Sequence, residues 1–319
     1  MSTASSEHYR AMAPFSAPDT SSLDRVAYLV GYPIAHSKSP PMHHAIYSAI
    51  GKRWGQLLCE TTDLEAFLRY LKSDPKCMGS GVTMPFKVAV IPHLDELTDE
   101  GKTIGAVNTI VFKTGQDGSR IYSGTNTDCL GIRDAFTNVE GSSYRGKPGL
   151  VVGGGGTCRA AVYALQKFMG CSPIYIINRD ANEVEAVLQE CHARGVGEDL
   201  IYVSTPEQAR RLAAPGAVVS AVPDFTPVTE NEKTVREILS VFLSTEQKGP
   251  LLEMCYHPSP DTQISKLALD SGWQVIGGIE AMIGQGLAQA SLWTGIEIDD
   301  KLRDIARSAV QSQMAGAHL

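Results

Sequence analysis

GLVVGGGGTCRAAVYALQKFMGCSPIYIINRD, residues 149–180, decides the fold. Gly149 to Val152 form a short apolar run of the kind a buried strand needs, and the glycines from Gly153 to Gly156 end it. A strongly helical segment follows from Cys158 and stops at Gly170, and Ile174 to Ile177 read as a second buried strand. Strand, glycine turn, helix and strand together make a βαβ unit with parallel strands. In such a unit the first glycine makes the tight turn and the next ones let backbone N–H groups approach a pyrophosphate. The helix N-terminus adds partial positive charge toward that anion. Gly153, Gly155, Gly156, Thr157 and Arg159 are therefore the expected contacts of a dinucleotide. Cys158 stands where a third glycine would pack helix against strand, so that contact admits only a small residue.

Asn178, Arg179 and Asp180 follow the second strand, where the adenosine ribose of a dinucleotide lies. A carboxylate there accepts hydrogen bonds from ribose hydroxyls and repels a 2′-phosphate; an arginine does the reverse or stacks on adenine. Asp180 and the nearby Glu183 favour NAD, whereas Arg179 supports NADP.

Outward from this unit the alternation continues. Residues 181–194 read as helix, LIYVS as strand, 206–213 as helix and AVVSAVP as strand, with further strands in GPLLEMCYHP and WQVIGG. This pattern predicts a doubly wound, Rossmann-type parallel sheet over residues 128–278, opened by a helix in DCLGIRDAFTN that bridges to the preceding unit. Toward the N-terminus, strands in RVAYLVGYP, QLLCETT, MGSGVTMP, AVNTIVFK and RIYSGTN alternate with helices at 40–50, LEAFLRYLK and KVAVIPHLDEL. They predict a smaller α/β domain over 24–127 with a largely parallel sheet. From residue 279 to 319 the chain reads as helical and is expected to return to that first domain. The architecture expected is thus α/β with two domains and a cleft between them. Residues 1–23, rich in Ser, Ala and Pro, read as a disordered tail; they lack the apolar run of a secretory signal and fit a transit peptide badly.

A formal net charge of −7 and the absence of any basic run argue against nucleic acid as a partner. No stretch approaches the roughly 20 apolar residues of a membrane span, and the expected location is the cytoplasm. The seven cysteines contain no CxxC pair and read as buried thiols of a reducing compartment. His36, His43 and His44 lack a carboxylate or cysteine at metal-ligand spacing, so no metal site is expected. Oligomeric state is not legible.

In the first domain, polar residues collect at the ends of the expected strands, where open α/β sheets bind ligands. These are Ser37 and Ser39 in HSKSP, Thr83 and Lys87 in VTMPFK, Asn108 in GAVNT, and Asn126 and Asp128 in GTNTD. Gln285, on a helix returning from the second domain, can cap the same cleft. Hydroxyls, an amide, a lysine and an aspartate in one place suit a small polyhydroxy acid better than an apolar ligand.

GYPIAHSKSPPMHHAIY, VTMPFK, IGAVNT, GTNTDCLG, GGGGTCRAA and EAMIGQGLAQASLWTG resemble, in order, the motifs of the shikimate/quinate dehydrogenase family over residues 26–296. The NRD segment, EMCYHPSP and GLAQASLWTG look closest to fungal quinate dehydrogenases, which use NAD. The resemblance implies oxidation of quinate to 3-dehydroquinate, or of shikimate to 3-dehydroshikimate, by hydride transfer to NAD or NADP. It also implies Lys87 and Asp128 as the catalytic pair, and Ser37 and Ser39 for the substrate carboxylate. Thr83, Asn108 and Gln285 would hold ring hydroxyls, with Tyr256 near the carboxylate. The chain departs from the family where Gly81 replaces an Asn and His43-His44 replaces His-Asn. Two alternatives stand beside this reading: an NADP-dependent biosynthetic shikimate dehydrogenase, supported by Arg179, and a non-catalytic quinate sensor. The intact Lys–Asp pair and glycine loop oppose the sensor.

Overall fold

The computed structural model describes residues 13–137, 139, 144–197 and 199–315, and builds them around two six-stranded sheets. The first domain contains β1 (Arg25–Gly31), α1 (Ser39–Ala49), β2 (Trp54–Glu60), α2 (Leu64–Ser73), β3 (Cys77–Val82) and α3 (Phe86–Ala89). It continues with β4 (Glu96–Leu97), α4 (Asp99–Ile104), β5 (Thr109–Thr114) and β6 (Arg120–Thr125). Its strand order is β2-β1-β3-β5-β6-β4. After Arg25 every residue of β1 is buried, as expected of a central parallel strand covered on both faces.

The sheet is more mixed than the sequence suggests. β1 pairs in parallel with β2 and β3, and β4 with β6, but β5 runs antiparallel to both β3 and β6. The short turn at residues 115–119 joins β5 to β6 as a hairpin, which leaves no room for a crossover helix. The helix expected over KVAVIPHLDEL is one turn only. Pro92 cannot continue an α-helix, so the chain passes through a 3₁₀ turn, Ile91–His93, into the short β4.

The second domain runs through α5 (Asp128–Thr137), β7 (Gly149–Val152), α6 (Gly156–Tyr163), β8 (Ile174–Ile177), α7 (Ala181–Ala193) and β9 (Leu200–Tyr202). α8 (Pro206–Arg211), β10 (Ala217–Ser220), α9 (Glu230–Leu243), β11 (Pro250–Glu253), α10 (Gln263–Asp270) and β12 (Gln274–Gly277) complete it. All pairings are parallel, in the order β12-β11-β10-β7-β8-β9. The winding direction reverses between β7 and β10, and the crevice at their C-terminal ends is where such sheets bind ligands. β7, β8, β10 and β11 are buried along their whole length, which explains their apolar sequences, broken only by Ser220 and Glu253 at the ends of β10 and β11.

α11 (Gly278–Thr294) then leaves β12 and packs on α1, β3 and β5 of the first domain, and α12 (Asp300–Ala315) packs on α1. Two glycine contacts let α11 seat closely. A Cβ on Gly131 of α5 would lie 2.2 Å from the Ala281 carbonyl oxygen, and one on Gly79 would lie 2.3 Å from Trp293 Nε1. The Trp293 indole instead donates to the Ile110 carbonyl at 3.1 Å, which places it in the core.

The disordered tail expected over residues 1–23 falls in part on residues 1–12, which lie outside the described residues; from Ala13 the chain is docked instead. The Ala13 carbonyl accepts from Thr61 Oγ1 and Thr62 N, and Phe15 packs on Phe67 and Tyr70 of α2. No described helix is long and apolar enough to cross a membrane.

Candidate active site

A cleft of about 450 Å³ opens between the two sheets. Its lining includes Ser37, Ser39, Thr83, Lys87, Asn108, Asp128, Thr157, Tyr256 and Gln285, nine of the residues singled out in the sequence. They arrive from separate elements: the loop after β1 and the first residue of α1, the turn after β3, α3, the residue before β5, the start of α5, α6, the segment after β11, and α11.

At the centre, Lys87 Nζ lies 2.5 Å from Asp128 Oδ2 and donates to Thr157 Oγ1 at 3.1 Å. Asn108 Nδ2 donates to the other carboxylate oxygen, Asp128 Oδ1, at 2.8 Å and approaches Gln285 Oε1 at 3.3 Å. The side chains of Lys87 and Asp128 are only 14% and 10% exposed. Both are thus held by several partners and still reach the cleft. Asn126 supports the arrangement: its Oδ1 accepts from Asp128 N at 3.0 Å, and its Nδ2 donates to the Ala106 carbonyl.

Two glutamines belong to this network. Gln289 Nε2 donates to Thr109 Oγ1 at 2.9 Å and reaches the Asn108 carbonyl at 3.3 Å, so α11 grips β5 beside the site. Gln289 is four residues after Gln285 and so on the same helix face, a spacing by which it was legible in the sequence. Gln56 accepts from Ser39 Oγ at 2.7 Å, while its own Nε2 is buried without a partner. A Cβ on Gly81 would sit 3.5 Å from Gln289 Nε2 and 3.6 Å from Gln56 Nε2.

The glycine loop closes the other side. Gly153 has φ +129°, and a Cβ there would meet Cys158 Sγ at 2.6 Å, the close contact expected of that pair. Gly155 faces open space, and no side chain caps the N-terminus of α6. The first N–H groups of α6, with no side chain at Gly155 to crowd them, suit a pyrophosphate. A Cβ on Gly156 would lie 3.3 Å from the Lys87 side chain, so the loop touches the lysine directly.

The Arg159 guanidinium is buried against α7 and makes two hydrogen bonds to Glu190, at 2.6 and 3.1 Å, so it ties α6 to α7 and points away from the loop's N–H groups. At the end of β8, Asn178 Nδ2 donates to Glu183 Oε2, and Asp180 Oδ1 accepts from Asn182 N as the cap of α7. Arg179 turns to α9, where Nη1 lies 2.5 Å from Glu232 Oε1 and the guanidinium sits 5.5 Å from the Phe225 ring centroid.

The 254–257 segment after β11 forms the remaining wall. His257 stacks on His36 at 4.1 Å, joining the two domains at the mouth. Burial, and then the proximity of His257, depress the His36 pKa. Burial raises the Tyr256 phenol. Beneath this wall, Glu253 is 2% exposed and accepts from Cys255 N and Thr262 Oγ1, and burial pushes its carboxyl up to about 7. His43 lies in the core between Tyr47 and Trp293, away from the cleft. The Cys129 thiol beside Asp128 is fully buried and pushed up to about 12, as an inert thiol would be.

Residues 29–110 match the shikimate dehydrogenase substrate binding domain. The chain is 47% identical over 307 residues to a quinate dehydrogenase of Emericella nidulans, covering 90% of this chain and 92% of that one. The chain belongs to the shikimate/quinate dehydrogenase family. Among solved family members, shikimate 5-dehydrogenase of Thermus thermophilus in complex with NADP(H) and shikimate is 29% identical, with a TM-score of 0.69. That match covers 89% of this chain and 99% of the other. The quinate dehydrogenase of Corynebacterium glutamicum in complex with NAD shares the fold with a TM-score of 0.72, at 24% identity over 89% of this chain and 99% of its own.

Proposed function

We propose that this chain is an NAD-dependent dehydrogenase of quinate, with shikimate as a secondary substrate. The observation that carries the proposal is the Lys87–Asp128 pair, held by Asn108 and set directly against the glycine loop through Gly156 and Thr157. A hydroxyl at Lys87 Nζ is thereby adjacent to the site for a dinucleotide.

The nicotinamide supplies the hydride acceptor. The chain's own groups handle the proton and the ring. Lys87, as the free amine, takes the hydroxyl proton as the C–H bond breaks, and Asp128 holds the resulting ammonium in place. Asn108 and Gln285 meet at 3.3 Å and can fix a neighbouring ring hydroxyl between them, with Thr83 opposite. Ser37 and Ser39 receive the carboxylate, and Tyr256 closes over it. Reversing the Gln56 amide satisfies its orphan Nε2 on Ser39 Oγ and frees the serine proton for that carboxylate.

Gly153, Gly155, Gly156 and Thr157 would hold the pyrophosphate, and Asn178, Arg179 and Asp180 would border the adenosine ribose. Asp180, Glu183 and Glu232 outnumber Arg179 there, and this acidic surplus favours NAD over a 2′-phosphorylated cofactor. Initial rates for quinate and shikimate, each with NAD⁺ and NADP⁺, test the proposal. The highest kcat/KM is expected for quinate with NAD⁺. Dominant shikimate/NADP⁺ activity would transfer the chain to the biosynthetic reaction, and no turnover in any combination would point to a sensor.

A further inference from the structure

Arg179 is the side chain that could bring a 2′-phosphate to this site, and its guanidinium is occupied from outside the local motif. Its partner, Glu232, belongs to α9, 53 residues further along the chain. The carboxylate divides its two oxygens. Oε2 accepts the backbone N–H groups of Val228 and Thr229, each at 3.0 Å, and completes a capping box with Thr229 at the start of α9. Oε1 is left for Arg179 Nη1. Asn231 Nδ2 also donates to the Arg179 carbonyl at 3.1 Å, and Phe225 underlies the guanidinium, so backbone and side chain are both anchored to this corner. The two N–H donors, and then Arg179, hold the Glu232 carboxyl down at about 2, so it is ionised at any working pH.

We propose that Glu232 is a positioning residue for cofactor selectivity: it sequesters Arg179 in an ion pair and so withholds from NADP the cation its 2′-phosphate requires. A 2′-phosphate entering beside β8 has to displace a preorganised carboxylate from Arg179 and then remain next to it, with Asp180 and Glu183 adding repulsion. The ribose diol of NAD needs no cation and loses nothing to the pair. The inference rests on the NAD reading above but concerns a residue outside the fingerprint, on a different helix.

Glu232→Gln isolates the charge, because glutamine also serves at this position of a capping box. Freed from its counter-ion, Arg179 can make charge-assisted hydrogen bonds to a phosphate, each worth about 1.5–3 kcal/mol. That corresponds to a roughly 10–100-fold fall in the ratio of the NADPH to the NADH dissociation constant. Titration of each nucleotide by fluorescence, without substrate, reads this ratio independently of the quinate assignment. In the double variant Glu232→Gln/Arg179→Ala the gain should vanish, which a merely structural effect on α9 would not produce. A wild-type protein that binds NADPH more tightly than NADH would overturn the NAD reading and this proposal together. Wild-type preference for NADH with an unchanged ratio in Glu232→Gln, at unaltered melting temperature, would overturn this proposal alone.

Discussion

Replacing Lys87 by alanine removes the amino group that lies 2.5 Å from Asp128 and 3.1 Å from Thr157 Oγ1. A positioned proton-transfer group typically contributes about 10²–10⁴-fold to the rate, or about 3–5 kcal/mol of barrier. kcat for quinate oxidation is expected to fall by that factor. The fold should survive. Removing one partner of a fully buried ion pair costs about 3–5 kcal/mol, but Asp128 keeps the Asn108 amide at 2.8 Å and borders the cleft, so the loss should fall below that range. Steady-state rates give kcat, a separate fluorescence titration gives NADH affinity, and thermal melting reports the fold. Affinity should change by no more than several-fold, since the glycine loop supplies its own N–H donors. Lys87→Arg separates charge from proton transfer, because arginine keeps the positive charge but does not deprotonate; it should be nearly as slow as the alanine variant. A folded Lys87→Ala protein within about tenfold of wild-type kcat would refute proton transfer through Lys87.

Gly131→Ala should lower stability by about 1–3 kcal/mol, since its Cβ would press on the Ala281 carbonyl at 2.2 Å and on Gln285 N at 2.8 Å. Melting curves together with a raised KM for quinate would show that α11 has been displaced from the site. Glu253 is protonated in the folded protein up to a pH of about 7, above its ordinary 4.5. Its stabilising contribution is therefore full below about pH 4.5 and lost as pH rises through about 7. Glu253→Gln, always neutral, should gain on wild type in urea denaturation as pH rises from about 4.5 to about 7, and a gap independent of pH would contradict the assignment. Arg159→Met should cost about 1–2 kcal/mol of stability, the Glu190 end being partly exposed and shared with Arg194. Its NADH affinity should stay within about twofold; a large loss would return Arg159 to the cofactor site.

The doubly wound sheet was legible because its signals are local. Buried parallel strands such as β8 are runs of apolar residues, and the glycine loop sits between a strand and a helix in one continuous stretch. α9 was equally available: Thr229 and Glu232 form a capping box three residues apart, a signal the chain carries openly and the strand-by-strand reading passed over. The mixed first sheet was harder, because an apolar strand looks the same whichever way its neighbour runs, and only the short hairpin between β5 and β6 hints at the reversal.

By itself the sequence determined the βαβ units, the glycine turn and the set of polar residues at strand ends, because each depends on residues close together in the chain. The tertiary structure decided which of those polar groups meet. Asn108 and Gln285 are 177 positions apart and come within 3.3 Å only because α11 returns to β5. It also decided what the arginines do. A guanidinium on a long side chain pairs with whichever carboxylate the packing brings near, so Arg159 went to Glu190 and Arg179 to Glu232, partners that lie 31 and 53 residues away. Local sequence specifies a residue's charge and reach; the counter-ion comes from how the helices pack.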